Sequence, residues 1–188
     1  YNHSMLKKSD VIAGRYEIID TIQTTSLVGL YKVRERETGK EFALKINLNP
    51  EAQDINHRLK REYYFLHKLS HPNIVIAYDG GIYENCFYIV EEFIVGQQIT
   101  HALRGLSEEI FNAIYQILDG LQYLHDQKFV HHDLKPENIM YIQDEKKVKI
   151  LDFGFAEETY SSENIPKGSI GYIAPEIINI AKAIGRVH

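Results

Sequence analysis

Two short stretches of this sequence concentrate side chains able to do chemistry. His131-His132-Asp133-Leu134-Lys135-Pro136-Glu137-Asn138 sets carboxylates, an amine and an amide close together, and Asp152-Phe153-Gly154 adds a further acid. Upstream stand Lys45, closing Ala43-Leu44-Lys45, and Glu62. Taken singly, each has an ordinary reading. Lys45 and Glu62 could form a surface ion pair worth under ~1 kcal/mol. Asp133 and Asn138 are common turn formers, and Asp152-Phe153-Gly154 suits an ordinary turn. His125, His131 and His132 raise the idea of a metal cluster, but His125 falls in a helical stretch.

The elements that must position these residues follow from periodicity. Tyr16 to Ile22 and Leu27 to Arg34 read as strands, the latter with Tyr31 and Val33 alternating with charge. Thr38-Gly39 turns the chain into a third strand, Glu41 to Asn47, which Pro50 ends. From about Gln53 to Leu69 the pattern is helical, with Leu59, Tyr63, Leu66 and Leu69 on one stripe, and His71-Pro72-Asn73 stops it. Strands are expected near Ile74 to Ile82 and Cys86 to Phe93, joined by a turn at Tyr83 to Asn85. Gly96 marks a change of composition. Ser107 is an N-cap candidate, with Glu108 and Glu109 in the first turn. Ile110, Ile114, Ile117, Leu118, Leu121 and Leu124 then form an apolar helical stripe to about Asp126. Short strands are expected at Ile139 to Ile142 and Lys147 to Leu151, and Glu157 to Lys167 reads as a surface loop. The order is a β-rich lobe with one helix, then a helical lobe, and ligands often lie in the cleft between two such lobes.

On these elements, five motifs in order resemble those of protein kinases. The first stretch resembles the catalytic loop H-R-D-L-x-x-x-N, followed by D-F-G at Asp152-Phe153-Gly154 and A-P-E at Ala174-Pro175-Glu176. Ala43-Leu44-Lys45 resembles V-A-I-K, and Glu62 lies on the helix that should carry the lysine's partner. The resemblance covers almost all of Ile12 to Glu176 and assigns His131 to a buried packing position. It implies an α+β, bilobal fold: a tail over 1–11, a small lobe over 12–95 with a five-stranded antiparallel sheet and one helix, and an incomplete, mainly helical large lobe over 96–188. It implies ATP-dependent phosphoryl transfer to Ser/Thr hydroxyls of protein substrates. The Ser/Thr leaning comes from Lys135 and from Gly168-Ser169-Ile170-Gly171-Tyr172.

In such a reaction, charge spreads over the transferred group, so catalysis is mostly positioning and electrostatic stabilisation. The resemblance implies that Lys45 holds the α- and β-phosphates and that Glu62 orients Lys45. Asp133 accepts or orients the hydroxyl proton, and Lys135 neutralises charge near the γ-phosphate. Asn138 and Asp152 bind Mg2+, a hard cation that prefers oxygen. Leu30 and Ala43 form the roof of the adenine pocket and Met140 its floor. Glu92, Phe93 and Ile94 form the hinge, while Ile22, Thr24, Thr25 and Ser26 border the phosphates. Glu91, just before the hinge, puts a carboxylate where the family usually has an apolar or small polar residue; it is costly to bury unless a donor such as Lys45 reaches it, or unless the hinge alignment shifts by one.

Three features depart from the pattern. The phosphate-covering loop G-x-G-x-x-G-x-V falls on Gln23 to Leu30, where Gln23, Thr25 and Val28 replace the glycines and Gly29 stands one place late. β-Branched Thr25 and Val28 resist the close approach to phosphate that glycine allows, although the hydroxyls of Thr24, Thr25 and Ser26 could supply replacement donors. His132 stands where many members have the arginine that clamps a phosphorylated activation loop, and a mostly neutral histidine holds phosphate poorly. Thr159, Tyr160, Ser161 and Ser162 are candidate phosphosites. Lastly, the chain looks like the first two-thirds or so of a kinase domain, ending soon after Glu176. Ile177, Ile178, Ile180 and Ile184 then form an apolar helical face expected to make a contact, with another copy or with the rest of the large lobe. Lys45, Glu62, Asp133, Asn138 and Asp152 favour an active kinase as the parent domain; the altered loop favours a nucleotide-binding pseudokinase; and the 188-residue chain by itself, with its large lobe unfinished, is expected to be inactive.

Composition narrows the remaining classes. The chain has 188 residues, 44% hydrophobic and 25% charged, which is globular usage. Its net charge of -5 gives no general pull towards nucleic acid. No apolar run approaches the ~20 residues of a membrane span. The single cysteine, Cys86, excludes an internal disulfide and agrees with a cytoplasmic setting.

Overall fold

The computed structural model describes residues 6–103 and 107–158. The expectations placed on Thr159 to Ser162, Gly168 to Tyr172, Ala174-Pro175-Glu176 and Ile177, Ile178, Ile180 and Ile184 lie outside the described residues. The chain divides into two units, one made of the residues up to Ser70 with Val75–Val95, the other of His71–Ile74 with the chain from Gly96.

The first unit is an antiparallel sheet with one helix. Its strands are β1 (Val11–Ile12), β2 (Tyr16–Thr24), β3 (Val28–Glu35), β4 (Glu41–Asn47), β5 (Ala77–Tyr83) and β6 (Cys86–Glu92), in the order β1-β2-β3-β4-β6-β5. The five expected strands are joined by β1, a short strand that pairs with the start of β2. Alternation along β3 drives Tyr31 and Val33 into a core with Tyr16, Ile18, Leu44, Ile46, Tyr88 and Val90. The β5–β6 connection is a two-residue hairpin turn. Glu84 and Asn85 both take positive φ, 48° and 64°, with Tyr83 paired to Cys86, the primed-turn geometry that matches strand twist.

Helix α1 (Gln53–Leu66) buries Ile55, Asn56, Leu59, Glu62, Phe65 and Leu66. It ends three residues before the expected Leu69, because the Lys68 and Leu69 amides turn back to Phe65 and Leu66 and tighten the last turn. Strand β5 likewise starts at Ala77 rather than Ile74. Asn73 and Ile74 belong to the second unit, where the Ile150 amide donates to the Asn73 carbonyl at 2.8 Å.

The second unit contains β7 (Gln97–Gln98), the single turn α2 (Ile99–Ala102), α3 (Ser107–Asp126), β8 (Phe129–Val130), a 3-10 turn at Pro136–Asn138, β9 (Ile139–Ile142), β10 (Lys147–Ile150) and β11 (Glu157–Glu158). Strands β10, β9 and β7 form one small sheet and β11 pairs with β8. Glu157 and Glu158 are therefore strand, not the start of a loop. Helix α3 has the expected ends but not the expected buried stripe. It buries Ala113 and Leu124, and Gly120 comes so close to β10 that an added Cβ would sit 3.0 Å from the Ile150 side chain. Ile110, Phe111, Ile114, Tyr115 and Leu118 are exposed. Among the described residues no helix is long and apolar enough to cross a membrane.

Candidate active site

In the first unit, the period of two along β4 puts Ala43, Lys45 and Asn47 on one face and Leu44 and Ile46 in the core. Lys45 Nζ donates to both oxygens of Glu62 on α1, at 2.8 and 2.9 Å. Glu62 is 0% exposed and Lys45 16%, so this is a buried, two-pronged ion pair and not the surface pair that either residue alone suggests. Such a pair needs the helix close to the sheet, and Gly80 permits it. A Cβ on Gly80 would lie 2.9 Å from the ring of Tyr63, the neighbour of Glu62.

The cross-strand register places Glu91 opposite Ala43 and Ile89 opposite Lys45, so Glu91 shares the Lys45 face and is itself buried. Leu30 stands opposite Lys45 on the other side of β4 and is half-buried, as are Ala43, Phe93 and Ile94. The Glu92 amide is spent on the Ile76 carbonyl at 2.9 Å, leaving any hinge donors to Phe93 and Ile94. Ile22 is exposed on β2.

The β2–β3 loop is closed by its own side chain. Thr25 Oγ1 accepts the amides of Val28 at 3.0 Å and Leu27 at 3.3 Å, and donates to the Val28 carbonyl at 3.1 Å. The Thr25 hydroxyl expected to serve as a replacement phosphate donor is thus engaged within the loop. A Thr followed by Ser at a turn is the signal that foretells it, since such hydroxyls bond the backbone two or three residues on. Thr24 is half-buried and Ser26 exposed.

In the second unit, Asp133 is 2% exposed and stands at the centre of the 131–138 loop. Its Oδ2 lies 3.0 Å from Lys135 Nζ and accepts Asn138 Nδ2 at 3.3 Å. Asn138 Nδ2 also donates to the Asp133 carbonyl at 2.8 Å, while the Asn138 carbonyl accepts the Leu151 amide at 2.8 Å. That last bond holds the loop against the residue preceding Asp152. Asn138 bonds Asp133 through its nitrogen, so its amide oxygen could serve as a metal ligand, as could the Asp152 carboxylate, one oxygen of which accepts the Gly154 amide at 3.3 Å. Two hard oxygen donors fit Mg2+. Among the described residues no three His, Cys, Asp or Glu gather as a metal site, so such an ion would complete its shell with water and substrate phosphate. His132 and Asp152 both take left-handed backbone, φ 61° and 58°, the kind of strain that collects at functional loops. Met140 is half-buried on β9, opposite Lys149.

His131 ties the two motifs together. Its ring packs on Phe153 at 4.7 Å, its Nε2–H donates to the Leu151 carbonyl at 3.0 Å, and its Nδ1 accepts the Asp133 amide at 3.3 Å. This pattern requires the neutral imidazole. Burial pushes its pKa below the ordinary 6.5, outweighing the opposing pull of the Leu151 carbonyl and of Asp152 and Asp133. The unfolded chain therefore takes up this proton before the folded one does. Stability is whole above the ordinary value and falls as pH drops below it towards the lowered folded value. Chemical denaturation between about pH 7.5 and 5 should show this loss, and His131→Asn should flatten that part of the profile.

Sequence reasoning missed the role of Asn73 beyond stopping a helix. Its Nδ2 donates to Gln116 Oε1 at 2.8 Å and to the Val148 carbonyl at 2.9 Å, joining α3 to β10. His132 Nε2 lies 3.8 Å from Glu157, a charged pair only when the imidazole is protonated.

Comparison with known proteins decides the family. The family model described as "Protein kinase domain" matches residues 16–186. The chain belongs to the protein kinase family. This kinase domain is 30% identical over 195 residues to a probable serine/threonine-protein kinase, pknA2, of Bifidobacterium longum, covering 96% of the chain and 26% of the relative. It is 31% identical to the serine/threonine-protein kinase PrkC of Bacillus subtilis, covering 88% of the chain and 27% of the relative. It is 32% identical to death-associated protein kinase 2 of Mus musculus, covering 92% and 50%. The chain thus spans between about a quarter and half the length of these relatives. A crystal structure of a kinase domain superposes with a TM-score of 0.81 at 21% identity, over 94% of this chain and 61% of that one, which supports the fold.

Proposed function

We propose that the domain transfers the γ-phosphoryl group of ATP to Ser/Thr hydroxyls of protein substrates in a cytoplasmic setting. The observation that carries this reading is the Asp133 carboxylate, buried and held by Lys135 and Asn138 in one hydrogen-bonded loop. Asp133 orients the substrate hydroxyl and takes its proton, while Lys135, 3.0 Å from that carboxylate, offsets charge as the phosphoryl group arrives. Lys45, kept in place by Glu62, holds the α- and β-phosphates. Asn138 and Asp152 would hold Mg2+, which when bound would neutralise charge on the phosphate oxygens. From the family resemblance we carry over Leu30, Ala43 and Met140 as candidate adenine contacts, Glu92, Phe93 and Ile94 as candidate hinge residues, and Ile22, Thr24, Thr25 and Ser26 as candidate phosphate neighbours. The deciding experiment follows labelled γ-phosphate into Ser/Thr peptides with the full chain and Mg-ATP. Absence of transfer together with a thermal shift on Mg-ATP addition would instead assign a nucleotide-binding pseudokinase.

The closed β2–β3 loop favours that second reading to a definite extent. Thr25 occupies the Leu27 and Val28 amides that a glycine loop would offer to phosphate. Thr25→Gly frees them, and one regained hydrogen bond is worth about 1 kcal/mol, or roughly fivefold. The Kd for Mg-ATP measured by calorimetry should fall by about that factor; a rise would show that the closed turn helps binding.

A further inference from the structure

The first unit contains a second buried polar set that none of the roles above uses. Asn47, 1% exposed, ends β4 two residues after Lys45 and on the same face. Its Oδ1 accepts the Asn49 amide at 2.9 Å. Its Nδ2 donates to the Asn49 carbonyl at 2.9 Å, to the Ala52 carbonyl at 3.2 Å just before α1, and to Asn56 Oδ1 at 2.9 Å on α1 itself. Asn56 is 5% exposed, and its oxygen also accepts the Phe87 amide of β6 at 2.7 Å. Its Nδ2 donates to the carbonyl of Asn85, in the left-handed hairpin turn, at 2.8 Å. One side chain of α1 is thereby bonded to β4, to β6 and to the β5–β6 turn.

Filling this space needs only a side chain of the right volume, and two buried amides cost free energy unless every polar atom is paired. Directional bonds do what an apolar pair cannot, which is to select one register. The spacing indicates which register. Lys45 and Asn47 are about 7 Å apart along β4, and Asn56 and Glu62 about 9 Å apart along α1. The Asn47–Asn56 bond and the Lys45–Glu62 pair therefore join one strand to one helix at two separate points. One attachment lets a helix pivot or slide; two fix its height and rotation.

We propose that the Asn47–Asn56 amide pair is a positioning device that sets α1 so that Glu62 meets Lys45, with Asn56 the positioning residue. Its effect on turnover rests on the kinase reading; its effect on Lys45 does not. The test uses the full chain with Asn56→Leu, Asn56→Asp, Glu62→Gln and the Asn56→Leu/Glu62→Gln double variant. Labelling of Lys45 by an amine-reactive reagent, read by mass spectrometry, reports whether Glu62 still holds the ammonium, whatever the chain catalyses. Kinetics report kcat and KM for ATP, and thermal melts report folding. Asn56→Leu should speed Lys45 labelling about tenfold, to the rate of Glu62→Gln, and should add nothing in the double variant. Asn56→Asp keeps the acceptor for Asn47 and Phe87 but loses the bond to Asn85; it should give a smaller increase and covers the case in which Asn56→Leu fails to fold. Lower melting with unchanged Lys45 labelling, or effects that multiply with Glu62→Gln, would overturn the proposal. Labelling that changes as expected while Glu62→Gln leaves turnover intact would keep the device and remove the kinase reading.

Discussion

Asp133→Asn should abolish phosphate transfer while leaving the chain folded. General-base catalysis by a positioned carboxylate contributes ~10²–10⁴-fold, so a loss of about a thousandfold in kcat is expected. The substitution is nearly isosteric, and the contact that shapes the loop survives it, because Asn138 Nδ2 bonds the Asp133 backbone carbonyl at 2.8 Å. What goes is the charge that Lys135 faces at 3.0 Å and the acceptor for the substrate proton. The measurement pairs labelled phosphate transfer with a thermal melt. Transfer equal to the unsubstituted chain removes Asp133 from the chemistry, and a collapsed melt shows that its role is structural.

Lys45→Met should damage both function and fold. Glu62 is fully buried and receives two hydrogen bonds from the Lys45 ammonium. Taking one partner from a buried ion pair costs about 3–5 kcal/mol, because the remaining charge has lost its compensation. That is a large part of the ~5–15 kcal/mol that holds a typical domain together. The expected results are a lower denaturant midpoint and an Mg-ATP complex too weak to turn over. Lys45→Met/Glu62→Leu, which removes both charges, should recover most of the stability and none of the transfer. Stability that stays low in the double variant would mean that the single substitution acts by disturbing packing.

How much was legible in the sequence depended on how local the cause was. Strand β4 was readable to its ends because Thr38-Gly39 and Pro50 punctuate it. The motif residues were readable because the family pattern fixes residue types and their order along a short stretch, and in the structure Asp133 lies within bonding distance of both Lys135 and Asn138. The buried face of α3 was misread because the helix carries more apolar residues than its neighbours cover: Ala113 and Gly120 face inwards while Phe111 and Leu118 face out. Periodicity counts apolar residues, whereas burial needs an opposing surface. The six-stranded sheet exceeded the expected five because β1 is held by pairing with β2, a choice two residues cannot announce. The Asn47–Asn56 bond was invisible for a related reason, since nothing in the spacing of two asparagines says that a strand end and a helix will meet there.

The interlaced course of the chain has a consequence for how the domain is made. Residues 71–74 emerge inside the first unit's sequence but complete the second, and the partner of the Asn73 amide on Val148 is 75 positions away. During synthesis at ~5–20 residues per second, that amide waits for several seconds before its acceptor exists. A ribosome stalled, or a gene cut, just after Val95 would leave residues 71–74 as a solvated loop, because Gln116, Val148 and Ile150, to which Asn73 is bonded, would not yet have been made.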